Sequence, residues 1–482
     1  MIPFPPFEPD KSPFNGGAGD NLKNCLPVAD GWGPMPDFVE LSDALPDDCV
    51  GLTAYKAPDG TLTVIAGTST NLYKLDTTTD PYSWTNVSLL ADGYSVPAND
   101  RWSFAVFGDY LIACQLGDPP QFISLSSGTA FANLAGSPPT AKYVATVGDF
   151  LVLYNLDGAP SRLQWSGLNN AEWWTAGQRN SDIQEFPDGG EIQALSRVGL
   201  GAIVIQRDGM KNMVFTGDTN VFAFSDANAA RGSVSGESVV QIGPGRFLYL
   251  SEQGYFSGVE GTPIGAERVD DWFFQNIDLD FLPEVLGFAD PYNKIAWWKF
   301  TTSDASTLLI GYAWQLDRWC YSDQNFQAGG AIATPGITLE GLDNLYASLD
   351  AIPVSLDSRI FKGGRPVFAI INTDRKLAFF GATAKAATLE TGEIELVPGS
   401  RAWVNGGRAI TDATGFTVTM KVSDYHGAAQ TSKAAVSPST RSGHLPLRGA
   451  GRLFSFQIDI PAATAWTVTT GIDVKAVREG DQ

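Results

Sequence analysis

Short apolar runs, each ended by a tight turn, recur along most of the chain. The stretch FGDYLIACQLGDPP begins at Phe107, and VGDFLVLYNLDGAP begins 40 residues later, at Val147. Both contain Gly-Asp, an aromatic residue, an apolar run and a second turn with Gly, Asp and Pro. Because Gly tolerates positive φ and Asp hydrogen-bonds its local backbone, this pattern predicts a β-hairpin.

Looser copies of this unit extend the pattern. Six units lie between residues 52 and 319, about 40 to 50 residues apart, within 57–76, 107–120, 147–160, 197–217, 242–261 and 289–319. That interval is typical of propeller blades, because one small sheet cannot cover its own apolar faces and its neighbours do. The pattern therefore predicts an all-β fold with a β-propeller of about six blades over residues 46–374. Unrelated hairpins in a β-sandwich are the alternative.

Two regions lie outside the repeat. Residues 1–45 are rich in Pro, Phe and Gly, and Phe4, Phe7 and Phe14 stand among prolines. We predict an extended arm whose phenylalanines dock on a neighbouring subunit; a disordered tail is the alternative. Residues 375–482 alternate like strands and predict a C-terminal β-domain of sandwich type that can lend a strand to the ring. A single short helix is expected over 267–277.

The excess of acidic residues limits the kinds of partner that the chain can bind. The chain has 482 residues, with 53 acids against 32 bases and a formal net charge of −21. Nucleic-acid affinity comes mainly from Lys and Arg contacts to phosphate, so this composition argues against a general DNA or RNA binder. The first residues have no signal-peptide pattern, and no apolar run reaches the ~18 residues of a membrane span. We expect a protein made in a cytoplasm, without a membrane-spanning segment.

Candidate chemistry is sparse. The chain has only two histidines, His426 and His444, and lacks a phosphate-binding loop and a nucleophile elbow. We therefore predict no catalytic residue, no metal site and no cofactor. The acidic groups at 47–48 and 278–284 are interpreted as solvated turns. The stretch 165–174, WSGLNNAEWW, could stack on a sugar, but packing between blades is the favoured interpretation.

Several segments in order resemble one protein family. They are DRWSFAVFGDYLIACQLGDPPQFI, RLQWSGLNNAEWWTAGQ, DIQEFPDGGEIQAL, GTPIGAERVDDWFF, ADPYNKIAWW, YAWQLDRW and GRLFSFQIDIPAATAWTVTTGIDVKAV. This succession resembles the tail hub or nozzle proteins of short-tailed bacteriophages, also called packaged-DNA stabilisation proteins. The resemblance runs from about residue 50 to the C-terminus and does not include the N-terminal arm.

The resemblance implies a structural virion protein, made in the host bacterial cytoplasm and located in the phage tail. Six copies would form a ring below the portal and adaptor proteins, around the channel through which DNA leaves without sequence-specific binding. The ring would retain the genome and connect to tail fibres or spikes. The family carries over no catalytic residue, and the channel-lining residues stay unknown. The alternatives are a carbohydrate-binding or glycoside-cleaving propeller in a receptor-binding tail part, and a head-completion protein of different stoichiometry.

Overall fold

The computed structural model describes residues 1–12, 19, 21–57, 61–79, 81–89, 93–218, 220–333, 348 and 366–479. Seven antiparallel four-strand units dominate it, and we name them blades 1 to 7. The first five are separate sheets of consecutive strands, blade 6 is the first part of a larger sheet, and blade 7 takes one strand from the N-terminal region. The all-β propeller class predicted from the sequence is confirmed.

The strands of each blade follow in order from the inner strand to the outer strand. They are Cys49–Lys56, Leu62–Thr68, Leu72–Asp76 and Ser83–Asn86 in blade 1; Ser103–Phe107, Tyr110–Gln115, Asp118–Ser124 and Ala132–Asn133 in blade 2; Ala141–Val147, Phe150–Leu156, Ala159–Trp165 and Asp182–Glu185 in blade 3; Ile192–Val198, Gly201–Gln206, Met210–Phe215 and Phe222–Asn228 in blade 4; Val240–Gly243, Arg246–Ser251, Gly254–Ser257 and Thr262–Pro263 in blade 5; Leu286–Asp290, Ile295–Thr301, Thr307–Ala313 and Arg318–Ser322 in blade 6; and Phe326–Ala333, Pro366–Asn372, Lys376–Ala384 and Pro36–Ala44 in blade 7.

The ring closes between blades 7 and 1, whose inner strands are in extensive contact. The outer strand of blade 7, Pro36–Ala44, comes from the N-terminal region and pairs antiparallel with Lys376–Ala384. The sequence predicted about six blades, and the structure has seven. The repeat pattern did not reveal the seventh blade, because its outer strand lies about 280 residues or more before its other three strands.

The repeated phrase has a structural explanation in the second strand of each blade. Phe150–Leu156 is buried along its whole length, and Gly201–Gln206 is too. A strand covered on both faces is continuously apolar rather than alternating. The Gly-Asp pairs form two-residue hairpin turns, with φ of +58° at Gly108 and +55° at Gly148.

Separate apolar clusters occupy the interfaces between adjacent blades. Clusters of buried side chains join blade 7 to 1, 1 to 2, 2 to 3, 3 to 4 and 4 to 5. A much larger cluster joins blades 5, 6 and 7 to the N-terminal and C-terminal regions. The core is therefore small and repetitive on one side of the ring and large and continuous on the other.

The C-terminal region forms two packed sheets, which we call the sandwich. One sheet continues outward from blade 6, and the other includes N-terminal strands. The strands are Ala387–Glu390, Ile394–Glu395, Thr417–Ser423, Thr431–Ser432 and Leu453–Ile460 in the first sheet, and Ile2–Pro3, Cys25–Val28, Gly31–Pro34, Ala402–Thr411, Gly449–Gly451 and Thr469–Arg478 in the second.

A two-residue strand, Leu22–Lys23, joins the propeller to the sandwich. It pairs in parallel with blade 6 and antiparallel with Ala387–Glu390, which makes one ten-stranded sheet. Asn24 follows it with φ of +57° and is buried; its amide nitrogen donates to the Ala386 carbonyl, 2.9 Å away, and its oxygen accepts from Ser322 Oγ at 2.8 Å. This segment, residues 22–24, is called the bridge below.

Salt bridges at Asp323 fasten the bridge further. The Asp323 carboxylate lies 2.6 Å from Lys23 Nζ and 2.9 Å from Lys385 Nζ. Although partial burial raises the pKa of Asp323, the hydrogen bonds from the two lysines outweigh it and bring the pKa to about 2. One carboxylate therefore ties blade 6, the bridge and the sandwich together.

The N-terminal arm differs from its predicted form. Phe4 and Phe7 are 5% and 0% exposed and lie in this chain's own large core, where the Phe7 ring meets Trp272 and Tyr321 at centroid distances of 5.3 and 4.8 Å. The arm thus docks on its own chain, because the joint between blade 6 and the sandwich offers it an apolar groove. Phe14 lies outside the described residues.

The domain divisions also shift. The residues around 45 and 375, predicted as boundaries, lie next to or inside blade 7, and the C-terminal region changes from ring to sandwich between Ala384 and Ala387. The prediction that the C-terminal part lends a strand to the ring corresponds to Lys376–Ala384. The strand-like alternation of apolar and polar residues is common to this strand and to the sandwich strands that follow. It therefore did not indicate where the ring ends and the sandwich begins.

The predicted short helix is present as Asp270–Asn276, and among the described residues short 3-10 helices cover Pro187–Gly189, Gly236–Ser238 and Leu279–Glu284. Asp10 of the arm caps the helix, accepting from the Asp271 and Trp272 amides at 2.9 and 2.7 Å. Within the described ranges, every helix is too short and too polar to cross a bilayer.

Asp270 at the start of this helix is a buried carboxylate. It is 8% exposed, and its Oδ1 accepts from the Tyr255 amide at 3.1 Å. A Cβ at Gly254 or Gly265 would lie 2.2 or 2.0 Å from its oxygens, so only glycine fits there. Burial raises the pKa of Asp270 to about 6.

Candidate functional site: the upper mouth of the propeller axis

All seven inner strands begin at the same end of the ring, which we call the upper face; the opposite end is the lower face. Loops from each outer strand to the next inner strand converge at the upper face near the axis. A cavity of about 320 Å³ opens there. Its lining includes six charged side chains: Asp100, Arg101, Lys142, Glu237, Glu284 and Lys299. We call this cavity the upper mouth.

Among the described residues, two cations of the upper mouth donate hydrogen bonds only to backbone carbonyls, and Lys299 Nζ also lies 5.9 Å from the centre of the Phe326 ring. The Arg101 guanidinium donates to the Gln327 carbonyl oxygen at 2.6 Å, and Lys299 Nζ donates to the Phe326 carbonyl oxygen. These carbonyls are consecutive in the inner strand of blade 7. Burial, helped by the nearby Arg101 charge, lowers the pKa of Lys299 to about 8. The two positive charges are therefore held close together without an opposing carboxylate in contact.

The carboxylates of the upper mouth are also incompletely paired. Asp100 is 6% exposed; its Oδ2 accepts from the Leu116 amide at 3.2 Å, and its Oδ1 lies 3.6 Å from Lys142 Nζ. This Oδ1 is buried and accepts no hydrogen bond in the described structure. Burial raises the pKa of Glu237, against the opposite effects of Arg101 and Lys142, and burial also raises the pKa of Glu284.

A second cavity continues below the mouth along the axis. It measures about 550 Å³ and is lined by the inner strands of blades 1 to 4, and Glu237 lines both cavities. Spaces of this size hold a small molecule rather than a polymer. The axis of one propeller is therefore not a passage for duplex DNA.

The acidic groups noted in the sequence have mainly structural contacts. Asp278 caps the 3-10 helix Leu279–Glu284, accepting from the Asp280 amide at 3.1 Å. Asp48 lies 3.2 Å from Arg375 Nε and accepts from the Gln327 amide group. Of these groups, only Glu284 lines the upper mouth.

The tryptophan-rich loop packs within blade 3. Trp165 and Trp174 are buried, and their ring nitrogens each donate at 2.7 Å to carbonyls of the same loop, those of Asn180 and Ala171. All four cysteines are buried and free, and no cluster of His, Cys, Asp or Glu able to hold a metal occurs among the described residues.

Sequence reasoning did not predict the upper mouth, and of its charged residues it noted only Glu284, as part of an acidic turn. Its six charged residues lie at positions 100, 101, 142, 237, 284 and 299 and belong to blades 2, 3, 5 and 6. The available signal was positional, because Asp100, Arg101, Glu237 and Glu284 all lie within four residues before an inner strand, and Lys142 is the second residue of one. Reading that signal requires the blade boundaries first.

Comparisons with known proteins identify no family. No family model matches the chain, and no curated protein matches it. Among solved structures, it is similar to the N-terminal domain of Nup159 (12% identity, TM-score 0.33, covering 75% of this chain and 99% of that one) and to BamB from Moraxella catarrhalis (13%, 0.29, 60% and 81%).

A third solved structure is the extracellular domain of a protein described as a hybrid two-component system from B. thetaiotaomicron. It shows 12% identity and a TM-score of 0.35 over 61% of this chain, which spans 40% of that structure's length. At these TM-scores the similarities carry no argument about function. The propeller assignment rests on the strand pairing of the chain itself.

Proposed function

We propose that this chain is a structural protein of the virion of a short-tailed bacteriophage, forming the tail nozzle. In this role several copies, six by the family resemblance, surround the channel through which DNA leaves. The nozzle retains and conducts the genome and connects portal and adaptor proteins to fibres or spikes. The observation that carries the proposal is the distribution of carboxylates over the propeller.

The turns and connections of the upper face carry acids at nearly every blade. Described examples outside the mouth are Asp47, Asp48, Asp157, Asp188, Glu191, Asp208, Glu252, Asp278, Asp280, Asp304, Asp323 and Asp374. The bases on the same turns are few, and two of them are already paired, Arg207 with Glu252 and Arg375 with Asp48. Such a surface repels phosphate within a Debye length of about 8–10 Å, so a duplex beside it slides rather than binds.

The joined architecture supports the same proposal. The bridge makes blade 6 and one sandwich sheet continuous, and Pro36–Ala44 closes the ring from the other end of the chain. A part that holds pressurised DNA must resist separation of its domains, and continuous hydrogen-bonded sheets provide that resistance. Because the axial cavities are small, the DNA channel of this proposal lies between copies and not within one propeller.

The first test is the composition and symmetry of the particle. Mass spectrometry of purified phage would identify the chain, and cryo-EM of the tail would give its position. We expect a ring of copies around an axial channel wide enough for a duplex, with the acidic upper face exposed to it. Absence from particles, or attachment only at the tail periphery, would overturn the nozzle and favour the carbohydrate-binding alternative.

A second test uses charge reversal on the two faces. Asp157→Lys, Asp188→Lys and Asp208→Lys together change the upper face, and Asp149→Lys, Glu172→Lys and Glu260→Lys make the same net change on the lower-face turns; all six side chains are exposed. Particles with the upper-face set should eject DNA several-fold more slowly than particles with the lower-face set. Equal ejection rates at equal copy number would contradict the proposed role of the upper face.

A further inference from the structure

We infer that the upper mouth binds a small hydroxylated organic acid of monosaccharide size, with Arg101 and Lys299 holding its carboxylate and Asp100 accepting from one of its hydroxyl groups. This inference concerns the axis of a single propeller and does not depend on the proposed ring. It adds a ligand site to a chain in which the sequence predicted none.

The anionic part of the ligand follows from the two cations. Arg101 and Lys299 donate to neighbouring carbonyls of blade 7 and have no carboxylate in contact among the described residues. Two cations held side by side in a partly buried cavity repel each other. An anion between them relieves that repulsion and gains charge-assisted hydrogen bonds.

The hydroxyl groups follow from the carboxylates. Asp100 Oδ1 is buried and accepts no hydrogen bond from a described residue; Lys142 Nζ, 3.6 Å away, compensates its charge but leaves room for an O–H donor. Glu237 and Glu284 add two more acceptors to the same cavity. A ligand that brings O–H donors satisfies these oxygens, whereas an inorganic phosphate dianion meets three carboxylates that repel it.

The size and shape of the cavity set the remaining limits. About 320 Å³ lies at the lower end of the range for small-molecule sites. Phe281, 38% exposed, and Pro283 form an apolar part of the lining. A sugar ring has one C–H face that can lie on such a surface while its hydroxyls turn to the acceptors, so an acidic monosaccharide fits all three features.

The test measures binding of D-glucuronate to the full chain by isothermal titration calorimetry and by ligand-observed NMR. D-Glucose, which lacks the anion, and acetate, which lacks the hydroxyls, are the matched probes. We expect a Kd on the order of 1 mM or tighter for glucuronate, and binding at least about tenfold weaker for either partial probe.

Variants locate the site. Lys299→Met and Arg101→Gln should each weaken glucuronate binding about tenfold or more, because each removes a charged donor. Lys294→Met is the control, since Lys294 lies on the same blade at the lower face and donates to Gln315 at 2.9 Å. It should leave the affinity unchanged. Far-UV circular dichroism and thermal melting establish that each variant is folded.

Several outcomes would overturn the inference. They are no heat and no NMR signal with glucuronate, equal binding of acetate, equal binding of glucose, and an undiminished affinity in folded Lys299→Met. If Lys299→Met does not fold, Arg101→Gln decides in its place. None of these results bears on whether the chain is a tail protein, because particle composition tests that separately.

Discussion

Blades 1 to 5 bury apolar side chains that are near one another in sequence. The joint between blade 6 and the sandwich buries side chains that are far apart in sequence. Each of the first five blades is a run of consecutive strands, with a small apolar cluster at each interface between them. At the joint, residues near positions 7, 23, 321 and 389 meet in one large core. The comparison shows that one side of the ring is stabilised by neighbours in sequence, and the other by the N-terminal arm.

The largest expected effect tests this difference directly. Phe7→Ala removes a fully buried ring from the joint, and Phe150→Ala removes a ring that is 2% exposed from the interface of blades 3 and 4. Each should lower the free energy of unfolding by about 3–5 kcal/mol. Hydrogen exchange should separate them, because Phe7→Ala should deprotect the sandwich strands and blade 6 while blades 2 to 4 stay protected.

Phe150→Ala should give the reverse pattern of exchange. If Phe7→Ala instead deprotected all seven blades equally, the joint and the repetitive blades would unfold as one unit. The two regions would then differ in how their strands are connected but not in their local stability.

A smaller effect of opposite sign is expected at Asp270, between blade 5 and the arm. Its folded pKa of about 6 lies above its ordinary value of 3.8, so the folded state favours the protonated form and loses stability as pH rises from about 4 to 6. Asp270→Asn keeps an acceptor for the Tyr255 amide and removes this cost. Urea denaturation at pH 7.5 should show a variant more stable by up to about 3 kcal/mol.

The same variant provides its own control through pH. As pH falls below about 4 the carboxyl group becomes mostly neutral in both states, so the difference in stability between Asp270→Asn and the parent chain should nearly vanish. A stability gain that persisted unchanged at pH 3.5 would show that the amide acts through packing and not through charge.

The smallest effect concerns the salt bridges that Asp323 makes with Lys23 and Lys385. The folded pKa of Asp323, about 2, lies below its ordinary value of 3.8, so its contribution is full above pH 4 and disappears as pH falls to about 2. Asp323→Asn should cost about 1 kcal/mol at pH 7, because the side chain is 37% exposed and water screens the pair.

Asp226→Asn is the comparison in the repetitive region. Asp226 pairs with Lys211 in blade 4 but is 69% exposed, so its removal should change stability by less than about 0.5 kcal/mol. If both variants lose the same free energy of unfolding in chemical denaturation at pH 7, the salt bridges from Asp323 to Lys23 and Lys385 do not stabilise the fold more than an exposed pair does.

The sequence made the repetitive blades predictable, because their signals are local. The apolar runs at 110–115 and 150–156 are second strands covered on both faces, and the Gly-Asp turns before them have the positive φ expected of hairpins. The short helix was predictable for the same reason. In each case the residues that specify the element are neighbours in the chain.

The bridge and the closing strand of blade 7 gave no such signal. Leu22–Lys23 is too short to show a period, and its partners lie about 300 and 366 residues away. Phe4 and Phe7 were predicted to dock on a neighbouring subunit, but they are buried in their own chain, and no local pattern in the sequence indicated that groove. The upper mouth was hidden because its charges come from four blades.

The closing strand Pro36–Ala44 has a consequence for synthesis. It leaves the ribosome early, whereas its partner Lys376–Ala384 is made some 340 residues later. At about 5–20 residues per second, the strand waits on the order of tens of seconds before the backbone groups that pair with Lys376–Ala384 find their partners. Nascent chains on one messenger then carry exposed strand edges side by side, each able to pair with the wrong molecule. We therefore expect translation speed and chaperone supply, as well as final stability, to affect the yield of correctly closed propellers.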